Sequence, residues 1–375
     1  MVPTHGSRRP FAGAVPGNSA VVAGIRHSLD NRIALGACGP DGHGVSRLAR
    51  CIAAAGRELG FTGSVLDEPD PARLADLAHR LPATVRLLHL HVSDWLIADA
   101  AADPDVVLPA LVHALASRDV RLAVTLHDVP QPSDGPALAR RRARTYGALV
   151  AAAAGVAVSS AHERSLLREV VGVREERVTV VPLPIDPAGG PSPRPAPPAG
   201  PPIVAVLGFL YPGKGHRELL DELAGIRRTV TVLAIGRPST RHRDLPAELS
   251  SVAERNGISF RTTGYVPDHR LVEQLRAPVV PVAPQTRISA SASINSWIGA
   301  GRRPLVRAGR YAQELGERLP GAVRIYRPGQ LRAEVELALA DPLLTWLPDR
   351  LRIGPTTRDV ARMHLTWLRE KVSPH

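Results

Sequence analysis

Short apolar runs alternate with longer amphipathic stretches along most of the chain, and the alternation is broken once. Ile33 to Cys38 predicts a strand, GPDGHG (Gly39 to Gly44) a loop, and Val45 to Leu59 a helix, because its apolar residues recur at helical spacing. Val85 to Val92 predicts the next strand, followed by a helical region up to Ser117. Arg121 to Leu126 predicts a strand that ends at His127 and Asp128. Then come a helix over Ala137 to Ala152, a strand over Val156 to Ser159, a helix over Ala161 to Val170 and a strand over Val178 to Pro182. Strands alternating with helices build βαβ units on a parallel sheet.

The interruption is PAGGPSPRPAPPAGPP, Pro187 to Pro202, in which eight of sixteen residues are proline. Such a segment fits neither a helix interior nor a central strand, and it reads as a semi-rigid linker. Beyond it the theme repeats, with strands predicted at 203–207, 230–235, 258–262, 278–282, 304–306 and 322–325. The final stretch, Thr357 to Val372, is amphipathic through Val360, Met363, Leu365, Trp367 and Leu368. The expected architecture is α/β: two Rossmann-like parallel-sheet domains facing a cleft. The expected division is a flexible tail over 1–30, an N-terminal domain over 31–186, a linker over 187–202, a C-terminal domain over 203–350 and a closing helical segment over 351–375. Ligands of open parallel sheets bind beyond the carboxyl ends of the strands, so residues following each strand are the candidates for chemistry.

A length of 375 residues supports two domains. Two cysteines, Cys38 and Cys51, build no disulfide framework and have no metal-ligand spacing around them, which fits a reducing, cytoplasmic setting. No apolar run approaches the length of a membrane span. Arg8 and Arg9 resemble the start of a twin-arginine signal, but Gly and Pro break the segment that follows, and a tail is the better reading. The net charge of +12 admits nucleic acid, an anionic membrane surface or phosphorylated substrates as partners. Aromatic content of 3% leaves few stacking platforms, and no helix-turn-helix or zinc-finger spacing is present, so nucleic acid is set aside. The densest basic run, ARRRAR at Ala139 to Arg144, offers a peripheral contact to anionic lipid or a phosphorylated acceptor, although a solvated helix face accounts for it better.

The sharpest local signal is IVAVLGFLYPGKGHRELLDEL, Ile203 to Leu223. A strand stops at Gly208, a loop carries Gly213 and Lys214, and a helix begins. Free N–H groups, the helix dipole and a lysine meet at one place, where pyrophosphate is the natural guest. His89 and His91 share one face of a strand. With no further ligand in evidence they read as buried structural histidines. No GxGxxG follows a strand, which argues against a dinucleotide-dependent dehydrogenase.

Six motifs in order resemble the GT-B glycosyltransferases, specifically the retaining family 4. They are GPDGHGVSRLARCIAAAG, VTLHD, VAVSSAHERSLL with VTVVPLPID, LGFLYPGKGHRELLDEL, FRTTGYVPDHRLVEQL and PVVPVAPQTRISASASINSWIGAGRRPLV. The resemblance implies transfer of a sugar from a nucleotide-sugar donor to an acceptor that the sequence does not identify, with retention and without a metal or other cofactor. It implies that the loop with Gly42, His43 and Gly44 lines the cleft, His43 on the acceptor side. It places His127 beside the donor sugar, and Asp128 beside the acceptor or holding the loop. Lys214 pairs the diphosphate as it leaves, near Gly208 and Gly213. Gly264 and Tyr265 fall where the family holds the base.

Two departures stand out. The family carries an arginine where Phe209 stands, leaving Arg237 or Arg287 as the second cation. The family's pair of glutamates falls at Ile288 and Ser296, and Arg287 and Asn295 are the closest polar candidates. Ser289, Ser291 and Ser293 precede a helix expected near Ile294 and suit a phosphate. These departures keep alternatives open: a GT-B scaffold that binds nucleotide or sugar without transfer, or an epimerase of the same fold. The resemblance further implies that the C-terminal helix returns to the N-terminal domain through Trp367 and Leu368.

Overall fold

Ile33–Cys38 (β1) is buried at all six positions, which is why it reads as an unbroken apolar run. It is a parallel strand covered on both faces. A computed structural model describes residues 27–189 and 200–373. The expected tail up to residue 26, including Arg8 and Arg9, and linker residues 190–199 lie outside the described residues. After β1 come α1 (Gly44–Glu58), β2 (Ser64–Glu68), α2 (Asp76–Arg80), β3 (Leu87–Val92), α3 (Asp94–Asp99) and α4 (Pro104–Ala116). The first domain continues with β4 (Arg121–Leu126), α5 (Pro136–Ala152), β5 (Ala153–Val158), α6 (Ala161–Leu166) and β6 (Val178–Val180). Its six strands are parallel in the order β2-β1-β3-β4-β5-β6. β2 is the one strand of this sheet that the apolar pattern does not announce. It is an edge strand, SVLDE, whose side chains alternate between half-buried and exposed until Glu68, so no apolar run marks it.

The second domain holds β7 (Ile203–Leu207), α7 (His216–Glu222), β8 (Thr231–Ile235), α8 (Leu245–Arg255), β9 (Ser259–Thr262) and α9 (Asp268–Arg276). It continues with β10 (Val280–Ala283), α10 (Ala292–Gly299), β11 (Leu305–Arg307), α11 (Arg310–Arg318), β12 (Arg324–Tyr326) and α12 (Leu331–Ala340). These six strands are also parallel, in the order β12-β11-β10-β7-β8-β9. The order reverses between β7 and β10, so a crevice opens beyond their carboxyl ends.

The chain then crosses back. α13 (Thr357–Val372) starts on a capping box between Thr356 and Asp359 and buries Trp367 and Leu368 against Ile33, Leu35 and Ile52 of the first domain. The outward crossing is held where the return crossing passes. Ile185 N–H donates to Pro355 O at 2.7 Å, and the Asp186 carboxylate accepts from Thr357 N–H at 2.7 Å and from its hydroxyl. Ile185 itself is buried in an apolar cluster of the second domain with Ala283, Ile294 and Ile298. Both crossings therefore form one hydrogen-bonded hinge.

Arg302 is fully buried and donates to carbonyls of Arg276, Pro278, Val279 and Thr345, with its guanidinium 4.3 Å from the Trp346 ring centroid. It ties the turn before β10 to the segment after α12. Burial without a carboxylate pushes its pKa down to about 9.

Candidate functional site in the interdomain cleft

The crevice between β7 and β10 receives Lys214. Gly208, Gly213 and Gly215 adopt φ of +118°, +91° and +92°, a region closed to most side chains, and they curl the loop so that Lys214 points inward. Gly208 is also needed for space: a Cβ there would lie 3.0 Å from Lys214 Nζ. Lys214 is buried and donates to Ser293 Oγ at 3.1 Å. No carboxylate among the described residues lies within ion-pair distance of it, and burial alone pushes its pKa down to about 8. A buried ammonium without a counter-ion is costly, and an arriving anion would relieve that cost.

Around Lys214 the loop after β10 supplies a short polar chain. Gln285 Nε2 donates to Ser293 Oγ at 3.4 Å, and Ser291 and Ser293 hydroxyls lie 3.1 Å apart. Gln285 Oε1 is buried without a partner. Ser291 caps α10 by accepting from Ile294 N–H. Gln285 is the one member of this polar chain that the motifs do not single out. The signal available was only that Gln285 follows a strand end.

Two residues expected at the donor turn out to serve the joint between domains. Asn295 is buried, and its amide donates to Leu183 O at 3.2 Å and Pro184 O at 3.0 Å, the outward crossing. Its side chain therefore faces the hinge. Ser289 donates to Glu163 Oε1 of the first domain at 2.9 Å, and its carbonyl accepts from Ser160 Oγ at 2.7 Å. Burial pushes the Glu163 carboxyl up to about 8. Asn295→Ala is expected to cost about 1–3 kcal/mol by stranding two carbonyls, with nucleotide affinity unchanged. Thermal melts and titration calorimetry read both, and a parallel loss of affinity would return Asn295 to the donor site.

Arg287 is half exposed and faces Asp134 of the first domain at 3.7 Å, so its charge is already answered. Ile288, where the first glutamate was expected, packs against the second domain's apolar cluster. Ser296, at the second, returns its hydroxyl to Ala292 O at 2.9 Å.

The facing wall comes from the first domain. His43 caps α1, its Nδ1 accepting from Val45 N–H at 3.3 Å, and burial lowers its pKa against the opposing pull of Asp128. Gly42 approaches the second domain, since a Cβ there would lie 3.3 Å from Arg237 Nη2. Gly44 faces open space and has no steric need for glycine. Asp128 is a non-glycine residue at φ +52°, held by Ser93 Oγ at 2.8 Å on its carboxylate and by Arg142 on its carbonyl. Strained backbone of this kind persists where surrounding contacts fix it. Gly264 adopts φ +70° and leaves Tyr265 exposed at the end of β9.

His127 is buried at the end of β4, with its Nε2 3.0 Å from His91 Nδ1 and its carbonyl accepting from Tyr146 OH at 2.6 Å. Burial pushes its pKa down to about 4, against the raising effect of Asp128. Behind it lies a cluster that sequence spacing only half revealed. His89, on the same strand face as His91, sits 2.9 Å from Thr125 Oγ1, and the ring of His364 of α13 lies within 5.2 Å of both, tilted against His89 and edge-on to His91. Among the described residues no group of three or more His, Cys, Asp or Glu is arranged to hold a metal ion. Half of the basic run of α5 is also engaged: Arg141 pairs with Asp103 and Asp105, and Arg142 is buried against Asp94 and Asp134. That leaves it a weaker candidate for anionic lipid than its sequence indicates.

Residues 42–188 match the family model described as Glycosyltransferase Family 4. Solved GT-B structures share the whole architecture. HepE of Anabaena, crystallised with UDP and glucose, is 16% identical, with 91% of this chain and 98% of that chain covered at a TM-score of 0.65. The fold is GT-B, and its first domain is similar to glycosyltransferase family 4. Sucrose-phosphate synthase of Thermosynechococcus elongatus is similar over 90% of this GT-B chain and 94% of its own, at 14% identity and a TM-score of 0.62. A glycosyltransferase of Rickettsia africae gives 13% identity over 91% and 92%, at a TM-score of 0.60. No curated protein sequence matches the chain. The family 4 match covers the GT-B domain that carries His43, His127 and Asp128, and it stops before Lys214.

Proposed function

We propose that this protein transfers a glycosyl group from a nucleotide-sugar donor held mainly by the second domain to an acceptor held mainly by the first. The observation that carries the reading is Lys214: buried, without a carboxylate partner, and aimed into the crevice where the second sheet reverses order. A diphosphate would supply the missing counter-charge, and Lys214 would balance the charge that builds on the leaving nucleoside diphosphate. His127 commits Nε2 to His91, which leaves Nδ1 to meet a donor-sugar hydroxyl. We read transfer as retaining and metal-independent, with the protein's cations doing the charge balancing. Among the described residues no helix is long and apolar enough to cross a membrane, and Cys38 and Cys51 are free thiols. Both fit a cytoplasmic reaction.

Thermal-shift titration with UDP, GDP, ADP and TDP and their common sugar conjugates tests the reading. One nucleoside diphosphate should raise the melting temperature progressively with concentration. Silence across the series from a folded sample would reject it. Ile288 and Ser296, neither a carboxylate, favour a second reading of nucleotide binding without transfer. Stabilisation by a donor that is neither hydrolysed nor consumed with any acceptor would support that second reading.

A further inference from the structure

Three neighbouring strands of the second sheet end alike. β7 and β8 run directly into a glycine at positive φ, Gly208 at +118° and Gly236 at +149°, and β9 reaches one after Thr263, Gly264 at +70°. Each glycine is followed by a large side chain: Phe209, Arg237 and Tyr265. The positive φ turns these residues off the sheet into the mouth of the cleft, and the three meet. The Arg237 guanidinium lies 5.5 Å from the Phe209 ring centroid and 6.0 Å from that of Tyr265. Two aromatic faces restrict an arginine without neutralising it.

Arg237 also differs from the other arginines at the cleft. Arg47 pairs with Asp268 at 2.7 Å, Arg241 with Asp99 at 3.5 Å, and Arg287 with Asp134 at 3.7 Å. Arg237 has no carboxylate within ion-pair distance among the described residues. Its neighbour Gly236 is packed so closely on Gly208 that a Cβ would lie 2.1 Å from Gly208 O, and Gly208 in turn abuts Lys214 Nζ. The two unpaired cations thus flank one strand end. The tip of Arg237 also approaches Gly42 of the opposite domain.

We propose that Arg237, braced between Phe209 and Tyr265, is the second cation of the anion site built on Lys214 and grips the diphosphate of the donor at the cleft mouth. This rests on the donor-site reading above. Lys214 is the buried, fixed charge; Arg237 is the outer, forked one, able to reach two phosphate oxygens at once.

Calorimetric titration of the full chain with the stabilising nucleoside diphosphate, with its parent nucleoside and with inorganic pyrophosphate tests this. Arg237→Ala should weaken the diphosphate and pyrophosphate about tenfold to a hundredfold and the nucleoside less than about twofold. Arg237→Lys should recover only part of the loss, because a lysine does not stack in the bracket or fork. Phe209→Leu with Tyr265→Leu should weaken the diphosphate severalfold with the charge intact. Since all three side chains are exposed, melting temperatures should stay within a few degrees of the parent. Unchanged diphosphate affinity in Arg237→Ala overturns the proposal alone. An equal loss for nucleoside and diphosphate also overturns it and assigns the bracket to the base. A parent protein that binds none of the three probes removes the donor-site reading and this proposal together.

Discussion

Lys214→Ala is expected to cut turnover by about a hundredfold or more, while the protein melts at or above the parent temperature. Two parts of that expectation come from the same fact. Removing a positioned charge that stabilises the departing group costs on the order of a hundred- to a thousandfold. Stability should not suffer, because Lys214 is buried with a serine as its hydrogen-bond partner and no carboxylate to strand. Deleting an uncompensated buried charge removes a desolvation cost and leaves only a small void. The pairing of lower activity with equal or greater stability distinguishes a functional lysine from a structural one. Steady-state rates beside thermal melts decide it. Parent-like turnover in a folded variant would remove the diphosphate role, and a large fall in melting temperature would make Lys214 structural.

The second large effect is acid unfolding. His89, His91, His127 and His364 are all held below their ordinary pKa, first by burial, to about 4 for His127 and about 3 for His364. The charged groups facing them are few. Asp128 raises His127, while His43 and the other rings of the cluster oppose protonation. Because the folded values are depressed, the unfolded chain binds more protons than the folded one below about pH 6.5. The cluster's contribution to stability is therefore complete above that pH and is lost as pH falls toward 4. Each ring contributes about 1.4 kcal/mol per pH unit in that window, and four together on the order of 5. Glu163, raised to about 8, acts the other way between about pH 4.5 and 8, but it is one proton against four. Against a total stability of about 5–15 kcal/mol, the melting temperature should fall by roughly 10 °C or more between pH 6.5 and 5. A melting temperature level down to pH 5 would contradict the cluster's neutrality. His364→Phe should shallow the slope if the cluster is responsible.

The fold was legible because parallel strands covered on both faces write themselves as apolar runs, β1 and β3 among them. β2 escaped because an edge strand needs no such run. At the site, residues tied to strand ends were legible: the glycines fix where the chain turns, and Lys214 follows one. Polar residues one turn further on were not. Asn295 and Ser289 have the right chemistry for a donor, but the groups they meet, Leu183 O, Pro184 O and Glu163, arrive from more than a hundred residues away. The spacing of His89 and His91 fixed their shared face, while His364 arrives only when the last helix folds back.

The joint and the mouth of the cleft are made of different forces. The joint is hydrogen bonding and apolar contact around Ile185, Asn295 and Thr357, with no ion pair between these residues. The mouth is bridged by exposed ion pairs, Arg47 with Asp268 and Arg241 with Asp99. Pairs of that kind contribute about 0–1 kcal/mol each and weaken as salt rises. Ionic strength therefore acts on the gape and leaves the axle alone. Added electrolyte loosens the clasp between the two plates while they stay tethered along one edge.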